Sequence, residues 1–173
     1  MNFQDFVKMH KSCVYSREHV SPQGDTINLA ENQAIYCYVY GSNETFLEIH
    51  VDRGLVQDNT KRCDYLLLNT TGMDTNEPNL HAIFIELKDK VENRKFGDAC
   101  QQLSSTIKKY SSELNGATLH ARIVTSNIEV KYPPKVKRIQ KCKAHFEEHL
   151  YCYFDYGAQM VEHTGENGHP TRK

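Results

Sequence analysis

The sequence predicts an α/β protein of the α+β type, in which helices flank a mixed central sheet. Apolar and polar residues alternate over residues 45–52, which is the pattern of a half-buried strand. Apolar residues then recur at steps of three or four over residues 96–114, which predicts a helix. A strand pattern returns at residues 118–125. An antiparallel meander followed by a crossover helix and another strand gives one sheet with both kinds of pairing.

Each element follows from a local pattern. Tyrosines and β-branched residues favour a strand over residues 33–40, although a helix beginning at Leu29 is the alternative. The predicted strands are residues 33–40, 45–52, 62–69, 81–88, 118–125 and 151–156. The predicted helices are an amphipathic helix at residues 3–14, the helix at residues 96–114 and a basic helix at about residues 135–149, after Pro133 and Pro134.

Length and composition indicate one globular domain. The chain has 173 residues, and we expect residues 1–162 to form the domain and residues 163–173 to be a disordered tail. No apolar run approaches the ~20 residues that cross a membrane, and the N-terminus lacks the apolar segment of a signal peptide. We therefore expect a cytoplasmic protein. Its six cysteines are widely spread, so reduced thiols are expected.

Three charged residues lie at the ends of two neighbouring predicted strands. Asp64 opens the apolar run of residues 62–69, and the run at residues 81–88 ends in Glu86, Leu87 and Lys88. Because strand side chains alternate between faces, Glu86 and Lys88 point to the same side. Two carboxylates and a lysine at adjacent strand ends are suited to a hard divalent cation and a phosphate oxygen.

This pattern resembles that of the PD-(D/E)XK nuclease superfamily, which includes restriction-type endonucleases and DNA-repair nucleases. The resemblance rests on Asp64, Glu86 and Lys88 and on a following helix that contains Gln102. It covers residues 44–126, about half of the chain. It implies an αβββαβ restriction-endonuclease-like core and a metal-dependent nuclease that hydrolyses phosphodiester bonds, with DNA as the expected substrate.

The resemblance also implies a role for each site residue. Asp64, Glu86 and the backbone carbonyl of Leu87 would bind Mg²⁺ or Mn²⁺. Lys88 would orient the attacking water or stabilise charge on the phosphate. Gln102 would contact the site, although its neighbour Gln101 leaves the assignment between the two open.

Further acids are candidates for the same site. Asp52 ends the strand before Asp64 and is either an additional metal ligand or a turn residue. The superfamily often has an acid on its first helix, and Glu18 and Glu31 are the candidates. One departure concerns Cys63, which stands where many members of the superfamily have a proline.

Charge is unevenly distributed along the chain. The net charge is −1, with acids in excess over the first 80 residues and bases in excess after them. Residues 131–143 contain no acid. The basic residues of this stretch are Lys131, Lys135, Lys137, Arg138, Lys141 and Lys143. It is predicted to bind a nucleic-acid backbone, and the alternative is a solvated helix face.

Other functions remain as alternatives. The spacing of Cys142, His145 and His149 suggests zinc, although one straight helix cannot surround a tetrahedral ion. The chain would then be a zinc-stabilised interaction subunit. A separate alternative to the nuclease is a nucleic-acid-binding subunit whose catalytic site is inactive. As a small nuclease it would need a homodimer or a partner protein for sequence specificity, and the resemblance suggests genome defence or repair.

Overall fold

The computed structural model describes residues 1–56 and 60–173 of the chain. In these residues the chain forms ten strands and three α-helices. The strands are Ser16–Val20 (β1), Asp25–Glu31 (β2), Ala34–Tyr40 (β3), Thr45–His50 (β4), Tyr65–Asn69 (β5), His81–Lys88 (β6), Thr118–Thr125 (β7), Cys152–Ala158 (β8), Met160–Thr164 (β9) and Pro170–Arg172 (β10). The helices are Phe3–His10 (α1), Asn93–Tyr110 (α2) and Val136–Ala144 (α3).

The strands form two sheets. The larger has the order β1-β4-β5-β6-β7-β8, antiparallel from β1 to β6 and parallel from β6 to β8. The smaller has the order β10-β9-β3-β2, in which β3 and β9 are parallel. The predicted α+β class with a mixed central sheet is therefore confirmed. The elements α1, β4, β5, β6, α2 and β7 occur along the chain in the predicted αβββαβ order, although β1, β2 and β3 intervene between α1 and β4.

Helices cover one face of the larger sheet, and the smaller sheet covers the other. On the helical side, Phe96 and Leu103 of α2 pack with Phe84 of β6. On the opposite side, Tyr36 and Tyr38 of β3 pack with Ile83, Ile85 and Leu87 of β6. Since β6 is buried on both faces, its sequence is an almost unbroken apolar run.

The first helix is shorter than predicted. Asn2 caps it, because the Asn2 side chain accepts a hydrogen bond from the Asp5 N–H at 2.9 Å and the Asp5 carboxylate accepts one from the Asn2 N–H at 3.3 Å. The helix ends at His10, and the chain then turns into β1, a strand that the sequence did not indicate.

The prediction of a disordered tail at residues 163–173 is wrong. Residues of this segment end β9 and form β10, and the two strands pair antiparallel. The Arg172 guanidinium also lies 2.8 Å from the Asp155 carboxylate of β8. The polar composition was misleading because β10 lies at a sheet edge, where backbone pairing orders it without much apolar burial.

The expectation that all cysteines are reduced is also wrong. Cys100 of α2 and Cys142 of α3 form a disulfide, with their Cα atoms 6.8 Å apart. The two cysteines lie 42 positions apart, so their spacing gave no indication of the pair. Among the described residues, no helix has both the length and the apolar character needed to cross a bilayer.

Candidate metal and nucleic-acid site

The site lies where β5 begins and β6 ends. These strands are antiparallel, and Tyr65 pairs with Ile85. One position before β5, the Asp64 N–H donates to the Ile85 carbonyl at 3.1 Å. The Leu87 N–H then donates to Oδ2 of Asp64 at 2.7 Å. The hydrogen bonds between β5 and β6 thus extend beyond the Tyr65–Ile85 pair, and the last of them holds the Asp64 carboxylate next to β6.

The same hydrogen bonds orient the Leu87 carbonyl. In a strand, the N–H and C=O of one residue point towards the same neighbouring strand. Because the Leu87 N–H points towards Asp64, the Leu87 carbonyl also points to the Asp64 side of β6. The Leu87 side chain packs in the core beneath the smaller sheet. The Leu87 carbonyl oxygen therefore points to the same side of β6 as Asp64, the acid with which it was predicted to bind the metal.

Glu86 is completely buried, with no exposed side-chain surface. Its side chain points to the helical face of the sheet. Burial raises the pKa of the buried Cys63 thiol there, and the nearby Glu86 charge raises it further. Oε1 of Glu86 lies 2.7 Å from Nζ of Lys88, whose side chain is 27% exposed. Apart from this ion pair, neither Glu86 oxygen has a hydrogen-bond partner among the described residues.

Both carboxyls are difficult to ionise. Burial raises the pKa of Glu86 to about 8, the nearby Asp64 charge adds to this effect, and Lys88 opposes it. Burial also raises the pKa of Asp64 to about 7, against the hydrogen bond from Leu87, and the Glu31 carboxyl raises it further. Two neighbouring carboxylates in a low-dielectric environment repel each other, and a divalent cation would relieve this repulsion. The donor set therefore fits a cation that prefers oxygen ligands.

Of the two acids that the sequence left open, Glu31 lies beside the site. It is the last residue of β2 in the smaller sheet, and its carboxyl is close enough to Asp64 to contribute to the raised pKa of that group. Glu18 instead forms a surface ion pair with Lys11 at 3.2 Å. The acid therefore comes from a strand, whereas the resemblance implied a helix.

Asp52 lies near the site but has a partner of its own. Its Oδ1 accepts a hydrogen bond from the Arg62 guanidinium at 2.8 Å. Its charge makes a small contribution to the raised pKa of Glu86. Asp52 therefore anchors Arg62 and adds negative charge around the carboxylates.

The two glutamines of α2 contact the segment that leads to Asp64. Gln102 donates to the Arg62 carbonyl at 3.3 Å, and Gln101 accepts a hydrogen bond from the Lys61 ammonium. One turn further along α2, the Thr106 hydroxyl accepts a hydrogen bond from the Cys63 N–H at 2.9 Å. Gln102 therefore holds the backbone before Asp64, and its amide nitrogen is engaged by that backbone.

A basic groove of about 660 Å³ lies between α2 and α3. Four of the six predicted basic residues line it, namely Lys135, Lys137, Arg138 and Lys141. The other two lie elsewhere, since Lys131 sits over the Tyr132 ring at 5.4 Å and Lys143 lies 3.9 Å from Glu147. Gln101 lines the groove and also bonds Lys61, so the basic groove borders the segment that carries Asp64.

Gly97 of α2 lies next to one of the groove cations. A Cβ atom at this position would clash with the Arg138 guanidinium where that side chain now lies. The helix therefore leaves room at this position for the cation from α3.

Comparisons with protein-family models, with curated proteins and with solved structures find no match for the chain.

The zinc alternative at the C-terminal helix loses a ligand. The Cys142 sulfur is bonded to Cys100, so no thiolate is available there. His145 lies 3.2 Å from the Ser104 hydroxyl.

The structure instead brings together His81, His120 and His169, which the sequence analysis did not group. The sequence does carry one signal for them, namely a histidine within each of the apolar runs that form β6 and β7.

Proposed function

We propose that the chain is a metal-dependent nuclease that hydrolyses phosphodiester bonds, with DNA as substrate. The observation that supports this most strongly is the environment of Glu86. Its carboxyl is buried close to Asp64, and the Lys88 ammonium is its one ion-pair or hydrogen-bond partner among the described residues. Burying two neighbouring carboxyls with one partly exposed lysine as their counter-charge is costly, so the arrangement is explained best by a function that needs both acids and the lysine.

In this proposal Asp64, Glu86 and the Leu87 carbonyl hold Mg²⁺ or Mn²⁺. The ion, when bound, would polarise the scissile phosphate and acidify a water. The hydrogen bond from Leu87 keeps the Asp64 carboxylate in place beside β6. Because Lys88 is partly exposed, its ammonium has access both to Glu86 and to a phosphate at the surface. There it would orient the attacking water and stabilise the charge that develops on the phosphate.

The groove between α2 and α3 would bind the substrate backbone. Its four cations supply the charge that a polyanion needs to approach a site rich in carboxylates. We further propose that sequence specificity comes from a homodimer or a partner protein, and that the enzyme acts in the cytoplasm in genome defence or repair.

The test is a cleavage assay with purified protein on single-stranded DNA, duplex DNA and RNA, each with EDTA, Mg²⁺, Mn²⁺ or Ca²⁺. We expect cleavage with Mg²⁺ or Mn²⁺, and binding with little cleavage in Ca²⁺, because the looser coordination of Ca²⁺ misplaces the water. Lys88→Ala should lower the rate by ~10² or more. Lys90→Ala is the matched control, since Lys90 is an exposed lysine two positions further on. Full cleavage in EDTA, or equal rates for the two variants, would refute the proposed mechanism.

A second candidate is a nucleic-acid-binding subunit without catalysis. It is favoured by the groove, whose cations do not depend on the carboxylates. Salt-sensitive binding with no cleavage of any polymer in any of the metals would support it against the nuclease.

A further inference from the structure

Three histidines from distant parts of the sequence converge at the end of β6 opposite to Glu86. His81 is the first residue of β6, His120 lies in β7, and His169 immediately precedes β10. One ring nitrogen from each lies within 4.8 Å of the others. Among the described residues, they are the only group of three or more histidine, cysteine or acidic side chains that converges in this way.

The side chains face one another closely. Nδ1 of His81 lies 2.9 Å from Nε2 of His120, and these two side chains are almost completely buried. The His169 ring centroid lies 5.1 Å from that of His81 and 5.3 Å from that of His120. Tyr153 of β8 borders the cluster, with its ring centroid 5.0 Å from that of His169.

We propose that His81, His120 and His169 bind a transition-metal ion of the zinc class. Imidazole nitrogen is a preferred ligand of such ions and a poor ligand of Mg²⁺. Zinc–nitrogen bonds of about 2.0–2.1 Å place tetrahedral ligands roughly 3.3 Å apart. Nδ1 of His81 and Nε2 of His120 lie 2.9 Å apart, and one ligand nitrogen from each of the three histidines lies within 4.8 Å of the others, so the spacings are close to this value. Small ring movements would therefore complete the site.

Neighbouring groups prepare His81 for this role. Its Nε2 lies 3.2 Å from both the Asn167 carbonyl and Oδ1 of Asn79, which are both acceptors. Nε2 therefore carries the proton, and Nδ1 presents its lone pair to His120. A carbonyl that accepts from the outer nitrogen is the usual support of a metal-binding histidine.

His120 needs only a change of tautomer. In the metal-free protein its Nε2–H donates to Nδ1 of His81. When that proton resides on Nδ1 instead, both facing nitrogens offer lone pairs and no net proton is lost. Nδ1 of His120 is buried without a partner among the described residues, so the metal bond must compensate for leaving an N–H there. The nearby Arg122 charge is paired with Glu162 at 2.9 Å, which limits its repulsion of a cation.

The site would link the two sheets. His81 and His120 belong to the larger sheet, whereas His169 lies in the β9–β10 hairpin of the smaller one. It is separate from the carboxylate site, because Glu86 lies five positions along β6 from His81, about 16 Å at about 3.3 Å per residue. Three protein ligands leave a fourth position for water. The ion would hold the C-terminal hairpin against β6 and β7.

The test uses the full chain after chelation and removal of metal. Zn²⁺ is titrated by calorimetry, and Co²⁺ by the visible absorption of tetrahedral cobalt. We expect one ion per chain, no competition from Mg²⁺, and a rise in Tm of about 5–10 °C with zinc at a hundredfold excess over Kd. Absence of stoichiometric binding would overturn the proposal.

Substitution of the half-buried His169 separates ligation from folding. His169→Gln should weaken Zn²⁺ binding by more than the ~10–100-fold that loss of an outer hydrogen-bond partner costs, while leaving the Tm in EDTA close to that of the unmodified chain. His169→Cys should retain binding and add a thiolate-to-cobalt absorption band. His149→Gln is the matched control, because this exposed histidine belongs to the other zinc candidate. Zinc binding lost in His149→Gln and kept in His169→Gln would refute the assignment.

Discussion

The Leu87 N–H donates to Oδ2 of Asp64 at 2.7 Å, so an acid that precedes β5 is fastened to the backbone between Glu86 and Lys88. Together with the antiparallel pairing of β5 and β6, this contact holds the Asp64 carboxylate next to the charged end of β6. The Asp64 side chain therefore has two roles, since it accepts the hydrogen bond of the Leu87 N–H and carries a negative charge. A substitution that removes the whole side chain removes both at once.

Asp64→Asn is predicted to separate these two roles. The amide oxygen still accepts from Leu87, so the variant should fold and should be at least as stable as the unmodified chain above pH 7, where the buried charge is removed. Asp64→Ala leaves the Leu87 N–H without its acceptor and should cost about 1–3 kcal/mol in the free energy of unfolding. Both should lower metal-dependent cleavage by ~10² or more. Urea denaturation and single-turnover cleavage measure the two effects, and an Asp64→Asn variant with undiminished cleavage would remove Asp64 from the site.

Stability is predicted to fall as the pH rises towards 8. The pKa values of Asp64 and Glu86 in the folded chain, about 7 and about 8, lie above the ordinary values of 3.8 and 4.5. Between these limits the folded state binds more protons than the unfolded state, so the free energy of unfolding decreases with pH. Glu86→Gln should flatten the slope and stabilise the protein at pH 8, while abolishing cleavage.

Urea denaturation between pH 5 and pH 9 in EDTA measures this slope. Glu129→Gln is the control, because Glu129 is exposed on the surface. Mg²⁺ should raise stability most at pH 8 and above, where both carboxylates are ionised. Identical pH slopes for the unmodified chain and Glu86→Gln would contradict the assignment of the slope to Glu86.

The sequence predicted the parts of the site that depend on local periodicity. The strand patterns placed Asp64 and Glu86 at adjacent strand ends, because the meander from β4 to β6 has short-range connections. The acid-free basic stretch at residues 131–143 predicted the four groove cations, because all four lie in α3 or immediately before it. The burial of Glu86 was not predicted, because the charges appeared to end an apolar run at the surface.

Long-range pairing accounts for what the sequence did not predict. Glu31 reaches Asp64 only because β2 belongs to a second sheet built on the pairing of β3 with β9, where Tyr36 is opposite Met160. No local pattern connects positions so far apart. The histidine cluster and the Cys100–Cys142 disulfide are of the same kind, since each joins elements that meet only in the folded chain.

The basic groove is predicted to determine the salt dependence of nucleic-acid binding. Replacing Lys135, Lys137 and Arg138 together with glutamine should weaken binding and make the slope of log K against log salt less negative, by up to about 0.9 per lost phosphate contact on duplex DNA. Lys131 and Lys143 lie outside the groove. Replacing both with glutamine is therefore the control, because it also removes positive charge from the chain but leaves the groove unchanged. Fluorescence anisotropy at several salt concentrations measures both, and equal slopes for the two variants would make the groove a plain solvated surface.

Reduction of the Cys100–Cys142 disulfide is predicted to destabilise the chain and loosen α3 against α2. The bond closes a loop of 42 positions, for which the restriction of the unfolded chain is worth about 2–4 kcal/mol. Because Cys100 and Cys142 line the groove with Lys141 and Arg138, reduction should also weaken nucleic-acid binding. Cys100→Ser should reproduce both effects without reductant, whereas Cys13→Ser, at a half-exposed free cysteine, should have neither. Thermal unfolding and anisotropy with and without reductant measure the effects, and a Cys100→Ser variant that unfolds and binds like the oxidised chain would show that the bond does not hold the groove together.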